Sequence, residues 1–281
     1  MEKNFFDLND DFCAIVRENI KGVYAAEKIA TGRTNYVYYA YKKGFLGLGK
    51  KTFVARFPRT DFFMRALEKE IEATTEIKQY LVLKTPIYKK ALKDGRAFSL
   101  HELVSGEPLN DVYETLTTAE KQVIAGDIAK YIFDIQNLTD KIKTTETLST
   151  FLTELSYING NEDYDYSVLD TLKKQEGEKL VLVHGDLNPC NLIIDKKKRL
   201  CGVLDYAFVS SSSPFVDLGR LTGRMDKEFN EMLIESFEKI SGLKFKRKEL
   251  TELNKMWKYV EADYMEYMTR EHADFDYPVK C

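Results

Sequence analysis

Long apolar runs are absent. No stretch of this 281-residue chain approaches the roughly 18 apolar residues that a bilayer-spanning helix needs, so no membrane partner is expected. Strong charge of one sign is missing too. The net charge is -3, and bulk electrostatics therefore give no reason to expect nucleic acid or an anionic membrane. Cysteine and histidine are scarce, at four and three residues. Cys13, Cys190, Cys201 and Cys281 show no paired spacing, which reads as reduced thiols in a cytoplasmic protein and leaves no zinc cluster standing out. The opening MEKNFFDLNDD is acidic, with no basic segment leading into an apolar one, so no secretion signal is expected. There is no internal repeat and no low-complexity linker. What is present is 44% hydrophobic residues, enough for a sizeable core, in a chain long enough for two lobes.

The texture changes once along the chain. Residues 8–20 could form a short helix. The runs VYAAEKIA at 23–30, NYVYYAY at 35–41 and TFVARF at 52–57 are rich in strand formers. Phe63, Leu67, Ile71, Ile77 and Leu81 then recur at helical spacing. Two more strand-like runs come next, 87–92 and 96–104. Ser105-Gly-Glu-Pro108 signals a turn. Beyond it, Thr117 and Glu120 form a capping-box pair ahead of a helix carrying Ile124, Ile128, Tyr131, Ile135 and Leu138. Residues 157–177 are polar and read as loop. Helices dominate the end, where Leu253, Trp257, Val260, Tyr264 and Met268 fall on one face. The expected architecture is α+β, with a small β-rich lobe over 1–104 and a larger, mainly helical lobe over 105–281.

One interruption of the apolar pattern carries chemistry. The stretch LVHGDLNPCNLIID at 182–195 sets HGDLNPCN between two strand-like runs, and GVLDY comes after it at 202–206. Asp186, Asn191 five positions later and Asp205 beyond are the parts that phosphoryl transfer requires. One carboxylate accepts the hydroxyl proton and orients the nucleophile, while a second carboxylate and an amide oxygen suit a hard magnesium ion. Strands at 192–194 and 200–204, joined by the turn DKKKR, would bring Asn191 toward Asp205.

These motifs resemble the aminoglycoside phosphotransferase and choline kinase superfamily, which shares the protein-kinase fold. HGDLNPCN is similar to its H-G-D-L-x-P-x-N loop, GVLDY to its metal segment, and Asp217-Leu-Gly to the D-L-A beyond it. Thr31-Gly-Arg-Thr-Asn-Tyr-Val-Tyr38 resembles its nucleotide loop, and Glu102-Leu-Val-Ser-Gly-Glu-Pro-Leu109 its hinge. The resemblance runs in order from about residue 24 to 223. It implies Asp186 as catalytic base, and Asn191 and Asp205 as ligands of Mg2+. It implies Gly32 to Asn35 over the phosphates of ATP or GTP, and Glu102 to Val104 at the purine. His184 and Asp217 would brace the loops. Arg56 stands where protein kinases carry the phosphate-facing lysine, with Glu70 as its expected helical partner and Glu68 or Glu72 as alternatives.

Other stretches invite other readings. Gly44 to Lys51, GFLGLGKK, nearly spells a phosphate loop, but position 51 lacks the hydroxyl, and a strand-like run stands next where a helix is required. Lys196 to Arg199 reads as a solvated turn rather than a nucleic-acid signal. Residues 261–276 hold six acids against Arg270, which would favour a cationic acceptor if that face bordered the site. The expected activity is therefore a small-molecule kinase with an aminoglycoside as preferred acceptor. A choline, ethanolamine or sugar kinase and a nucleotide-binding scaffold without catalysis are the alternatives.

Overall fold

A computed structural model describes residues 11–31, 34–43, 50–86, 88–144, 146–161 and 163–271 of the chain. They fall into two compact units. The first takes in the described residues up to Thr75, Pro86–Val104 and those from Met268; the second takes in Glu76–Thr85 and Ser105–Tyr267. Among the described residues, no helix is long and apolar enough to cross a membrane.

The first unit begins with α1 (Phe12–Asn19), whose N-terminus is capped by the Asp11 carboxylate, accepting from the Ala14 N–H at 2.9 Å. Then come β1 (Val23–Thr31), β2 (Asn35–Lys43), β3 (Lys50–Pro58), α2 (Asp61–Ile77), β4 (Lys89–Lys93) and β5 (Arg96–Glu102). The strands form one antiparallel sheet in the order β1-β2-β3-β5-β4. Period-two alternation sets which face is buried: Tyr36, Tyr38 and Ala40 are buried, while Val37 and Tyr39 are only partly so. Phe12, Ile15 and Val16 of α1 join Tyr36, Tyr38, Phe57 and Phe98 in one core. Phe57 stacks on Phe98 at 4.9 Å and touches Phe12 at 4.7 Å. Fully burying one such aromatic ring stabilises by about 1.5–3 kcal/mol. The apolar period of α2 was expected to reach Leu81, but regular helix stops at Ile77 and gives way to a turn, in which the Tyr80 and Leu81 N–H groups both bond the Ile77 carbonyl.

The second unit carries β6 (Glu107–Pro108), α3 (Leu109–Val112), α4 (Thr118–Gln136), α5 (Leu148–Asn159), α6 (Asp170–Glu178), β7 (Val181–Val183), β8 (Leu192–Ile194), β9 (Leu200–Val203), β10 (Ser210–Ser212), α7 (Val216–Thr222), α8 (Lys227–Ser241) and α9 (Arg247–Glu271). The capping box starts α4: Thr117 Oγ1 accepts from the Glu120 N–H at 3.3 Å, and Glu120 accepts from the Thr117 N–H at 2.8 Å. Ile124, Ile128, Tyr131 and Ile135 line its buried face. The stretch 157–177 is not the loop expected from its polarity. It completes α5, makes a 3-10 turn over Tyr166–Leu169 and continues as α6. Leu169 and Leu172, fully buried, anchor it, and two of its polar residues are buried with them: Gln175 accepts from Ser213 Oγ and Glu176 from Ser212 Oγ, each at 2.7 Å.

Two small sheets frame the loop of interest. β7 pairs with β10, and β8 lies between β6 and β9. In the turn joining β8 to β9, the Asp195 carboxylate accepts from the N–H groups of Lys197 at 2.8 Å and Arg199 at 3.1 Å. Arg199 also grips Asp127 with Nε and Nη2. The basic run 196–199 is therefore a hairpin turn. On α9 the five stripe residues Leu253, Trp257, Val260, Tyr264 and Met268 are all buried.

Candidate active site

The loop between β7 and β8 is fixed from below by α7. The Asp217 carboxylate, fully buried, accepts from the His184 N–H through Oδ2 and the Gly185 N–H through Oδ1, both at 2.9 Å. Burial pushes this carboxyl above its ordinary value, while His184 and the two backbone donors pull it the other way. Gly185 has φ +82°, and a Cβ there would stand 2.2 Å from the Phe208 carbonyl oxygen, so the turn into the loop admits only glycine.

His184 ties the loop to the segment after β9. Its Nε2 donates to the Leu204 carbonyl at 2.9 Å and its Nδ1 accepts from the Asp186 N–H at 3.3 Å, a pattern that needs the hydrogen on Nε2. Its ring packs 4.7 Å from Tyr206. Imidazole and Asp217 both act on backbone groups here, consistent with bracing.

Asp186, Asn191 and Asp205 come together in this unit. Asn191 Nδ2 donates to the Asp186 carbonyl at 3.0 Å, which turns the amide nitrogen inward and leaves Oδ1 as the group able to meet a cation. The Leu204 N–H donates to the Asn191 carbonyl at 2.9 Å, placing Asp205 next in chain to that contact. Asp205 has φ +63°. Unlike the positive φ of Asp94 and Lys198, each in the turn of a hairpin, this one lies outside any hairpin, and backbone strain of this kind costs on the order of 1–3 kcal/mol. One carboxylate and one amide oxygen are donors of the kind that suit a hard divalent cation. Among the described residues, no cluster of three or more His, Cys, Asp or Glu side chains competes for such an ion.

The Asp186 carboxylate itself is held. Oδ1 accepts from Nε and Nη2 of Arg220, both at 2.8 Å. Oδ2 receives only the longer Asn188 amide contact at 3.3 Å. Sequence reasoning missed Arg220, although it stands three residues after Asp217 on the same face of α7, a spacing at which helical side chains are neighbours. Glu261 of α9 pairs with Arg224 and lies 3.6 Å from Arg220. Asp263 is buried and accepts from Asn159 at 2.5 Å and Asn161 at 2.8 Å. Two of the acids expected to draw a cationic acceptor are thus engaged within the protein.

The nucleotide-facing candidates lie in the first unit. Arg56 on β3 donates through Nη1 to both oxygens of Glu70 on α2, at 3.0 and 2.8 Å, and to Tyr88 Oη at 3.1 Å. Both partners of the ion pair are buried, so this is no surface pair. Asn35 is buried at the start of β2, donating to Thr34 Oγ1 at 2.7 Å. Glu102 and Val104 lie at the end of the Pro86–Val104 segment: His101 Nδ1 contacts the Glu102 carbonyl at 2.9 Å, and the Leu103 N–H is taken by the Thr52 carbonyl at 3.0 Å. Gly32 lies outside the described residues, as do Gly44 to Gly49 of the near phosphate loop; the next element in the chain is β3, a strand and not the helix a phosphate loop requires. Of the cysteines expected as reduced thiols, Cys13 and Cys201 form no disulfide, whereas Cys190 is disulfide-bonded, which corrects that expectation. Cys281 lies outside the described residues.

A small antiparallel sheet with a buried Arg56–Glu70 pair and a larger helical part bringing Asp186, Asn191 and Asp205 together have the make-up of a kinase-like phosphotransfer enzyme of the α+β class. The model of the phosphotransferase enzyme family matches residues 25–253, and the chain belongs to that family; its reaction class is phosphotransfer to an alcohol group. Solved structures share the fold. The GDP complex of wild-type aminoglycoside 2'-phosphotransferase-IIIa aligns with TM-score 0.64 and 18% identity over 92% of each chain. An aminoglycoside phosphotransferase from Streptomyces rimosus, complexed with ADP and streptomycin, aligns with TM-score 0.66 and 17% identity over 88% of this chain and 96% of that one. The apoenzyme of a macrolide 2'-phosphotransferase from Brachybacterium faecium aligns with TM-score 0.59 and 15% identity over 89% and 88%. No curated protein matches the sequence.

Proposed function

We propose that this small-molecule kinase moves the γ-phosphate of ATP or GTP to a hydroxyl of a cationic acceptor, an aminoglycoside in the first instance. The observation that carries the reading is the Asp186 loop: a carboxylate with one oxygen anchored by Arg220, in a backbone frame fixed by Asp217 and His184. In this reading residues 1–104 bind nucleotide, and residues 105–281 carry catalysis and acceptor recognition. Arg56, set by Glu70, contacts phosphate. Gly32 and Asn35 cover it, and Glu102 to Val104 present backbone groups to the base. Asp186 orients the acceptor hydroxyl and takes its proton. Asn191 and Asp205 hold Mg2+, which supplies charge neutralisation on the transferring phosphate.

Aminoglycosides named in the related structures support the choice of acceptor. The engagement of Glu261 and Asp263 inside the protein favours a second reading, a less cationic acceptor such as a sugar, choline or ethanolamine. Magnesium-dependent consumption of ATP and GTP against a panel of these acceptors separates the two. Asp186→Asn should lower kcat by about 10²–10⁴-fold with nucleotide affinity retained. A near-normal rate in that variant would remove Asp186 from the role of base.

A further inference from the structure

We infer that Arg220 is a positioning residue for the phosphotransfer step, fixing the Asp186 carboxylate so that Oδ2, and not Oδ1, receives the acceptor proton. The inference rests on the proposed kinase reading and adds to it a residue and an atom. Three observations carry it. Nε and Nη2 of Arg220 both end on Asp186 Oδ1 at 2.8 Å, and Oδ2 keeps only the 3.3 Å amide contact from Asn188. The guanidinium is itself immobilised: it is 8% exposed, lies 4.6 Å over the Trp257 ring and has Glu261 at 3.6 Å on Nη1. Asp217, one turn earlier on α7, holds the backbone of the same loop. The Asp-Leu-Gly-Arg run at 217–220 is therefore a two-point clamp, its first residue on the loop's backbone and its last on the reacting side chain.

A carboxylate bound through one oxygen has lost the torsional freedom that would let either oxygen face the substrate. The remaining oxygen then points in one direction, and orientation of this kind is a large part of a positioned base's effect. In the step itself the acceptor hydroxyl oxygen forms the new bond to the γ-phosphorus. The bond from that phosphorus to the bridging oxygen breaks, and the nucleoside diphosphate leaves with its electron pair. The hydroxyl proton passes to Asp186 Oδ2. Arg220 forms no bond in this sequence and touches no reacting atom.

The test compares Arg220→Ala, Arg220→Lys and wild type in phosphotransfer and in fluorescence of Trp257, the one tryptophan in the chain. Arg220→Ala should lose about a hundredfold in kcat while the nucleotide KM stays within about twofold. Guanidinium ion at millimolar concentration should restore part of that loss, and Arg220→Lys should retain more activity than the alanine variant. A purely structural arginine would not give guanidinium rescue, nor a loss confined to kcat. Full activity of Arg220→Ala, or an equal unrescued loss in kcat and nucleotide affinity in a folded variant, overturns the inference. Should the alanine variant not fold, Arg220→Lys decides: kcat lowered at unchanged nucleotide KM supports positioning, and unchanged kcat refutes it. If wild type turns over no acceptor, the kinase reading has failed separately. Asp186→Asn then tests the ion pair alone, which should shift Trp257 emission by releasing Arg220; unchanged emission contradicts the clamp.

Discussion

Asp217→Ala removes a carboxylate that holds two backbone N–H groups in a fully buried place. Each bond is 2.9 Å long, and both donors, at His184 and Gly185, are themselves buried. A buried donor left without a partner costs about 1–3 kcal/mol, so the alanine variant should lose about 2–6 kcal/mol. That is a large share of the roughly 5–15 kcal/mol available to a folded domain. Asp217→Asn keeps one acceptor oxygen and turns its NH2 toward the second donor, so it should lose about half as much. At about 2–4 °C per kcal/mol for a chain of this size, the alanine variant should melt on the order of 10 °C lower, with the asparagine variant between. Calorimetry gives these shifts, and amide hydrogen exchange at His184 and Gly185 localises them. An alanine variant within about 0.5 kcal/mol of wild type, its two amides still protected, would rule out this bracing role for Asp217.

Two other perturbations test separate parts. Arg56→Ala should raise the KM for nucleotide more than that for acceptor, because its buried pairing with Glu70 sets it toward phosphate in the proposed role; equal losses would argue against a phosphate contact. Asp226 caps α8, accepting from the Phe229 N–H at 2.8 Å and Tyr113 Oη at 2.5 Å, and the Phe229 bond is the first cause of its lowered pKa. A lowered folded value means that its stabilisation is present above the ordinary carboxylate pKa and is lost as pH falls through the folded value. Asp226→Ala should therefore cost about 1 kcal/mol near neutrality and show a shallower acid limb in a pH series of melting temperatures. An identical limb would remove Asp226 from that role.

The sheet was legible because the runs that become β2 and β3 are rich in strand formers; in β2 Tyr36, Tyr38 and Ala40 go inward with period two, while β3 is buried without a break from Val54 to Pro58. The helix α4 was legible from its capping box and apolar stripe. The Asp186 loop stood out because acids and amides interrupt two apolar runs that need no such residues for a turn. Three things were not visible. The helix α6 buries Gln175 and Glu176 beside Leu172, so its inner face carries too few apolar residues to set a period. The contact of Arg220 with Asp186 joins residues 34 apart in sequence, and no local pattern encodes it. The acids Glu261 and Asp263 look available in sequence, but their partners Arg224, Asn159 and Asn161 come from elsewhere in the chain.

The proposed activity stands on Asp205 and Asn191 holding the metal through which nucleotide is used, with Asp186 beside them as base. The decisive measurement is a magnesium titration of phosphotransfer in wild type and Asp205→Ala, with a responding acceptor from the panel. Wild type should show saturable magnesium dependence, and the variant should lose turnover with its melting profile unchanged. Full magnesium-dependent turnover in Asp205→Ala would contradict the metal assignment.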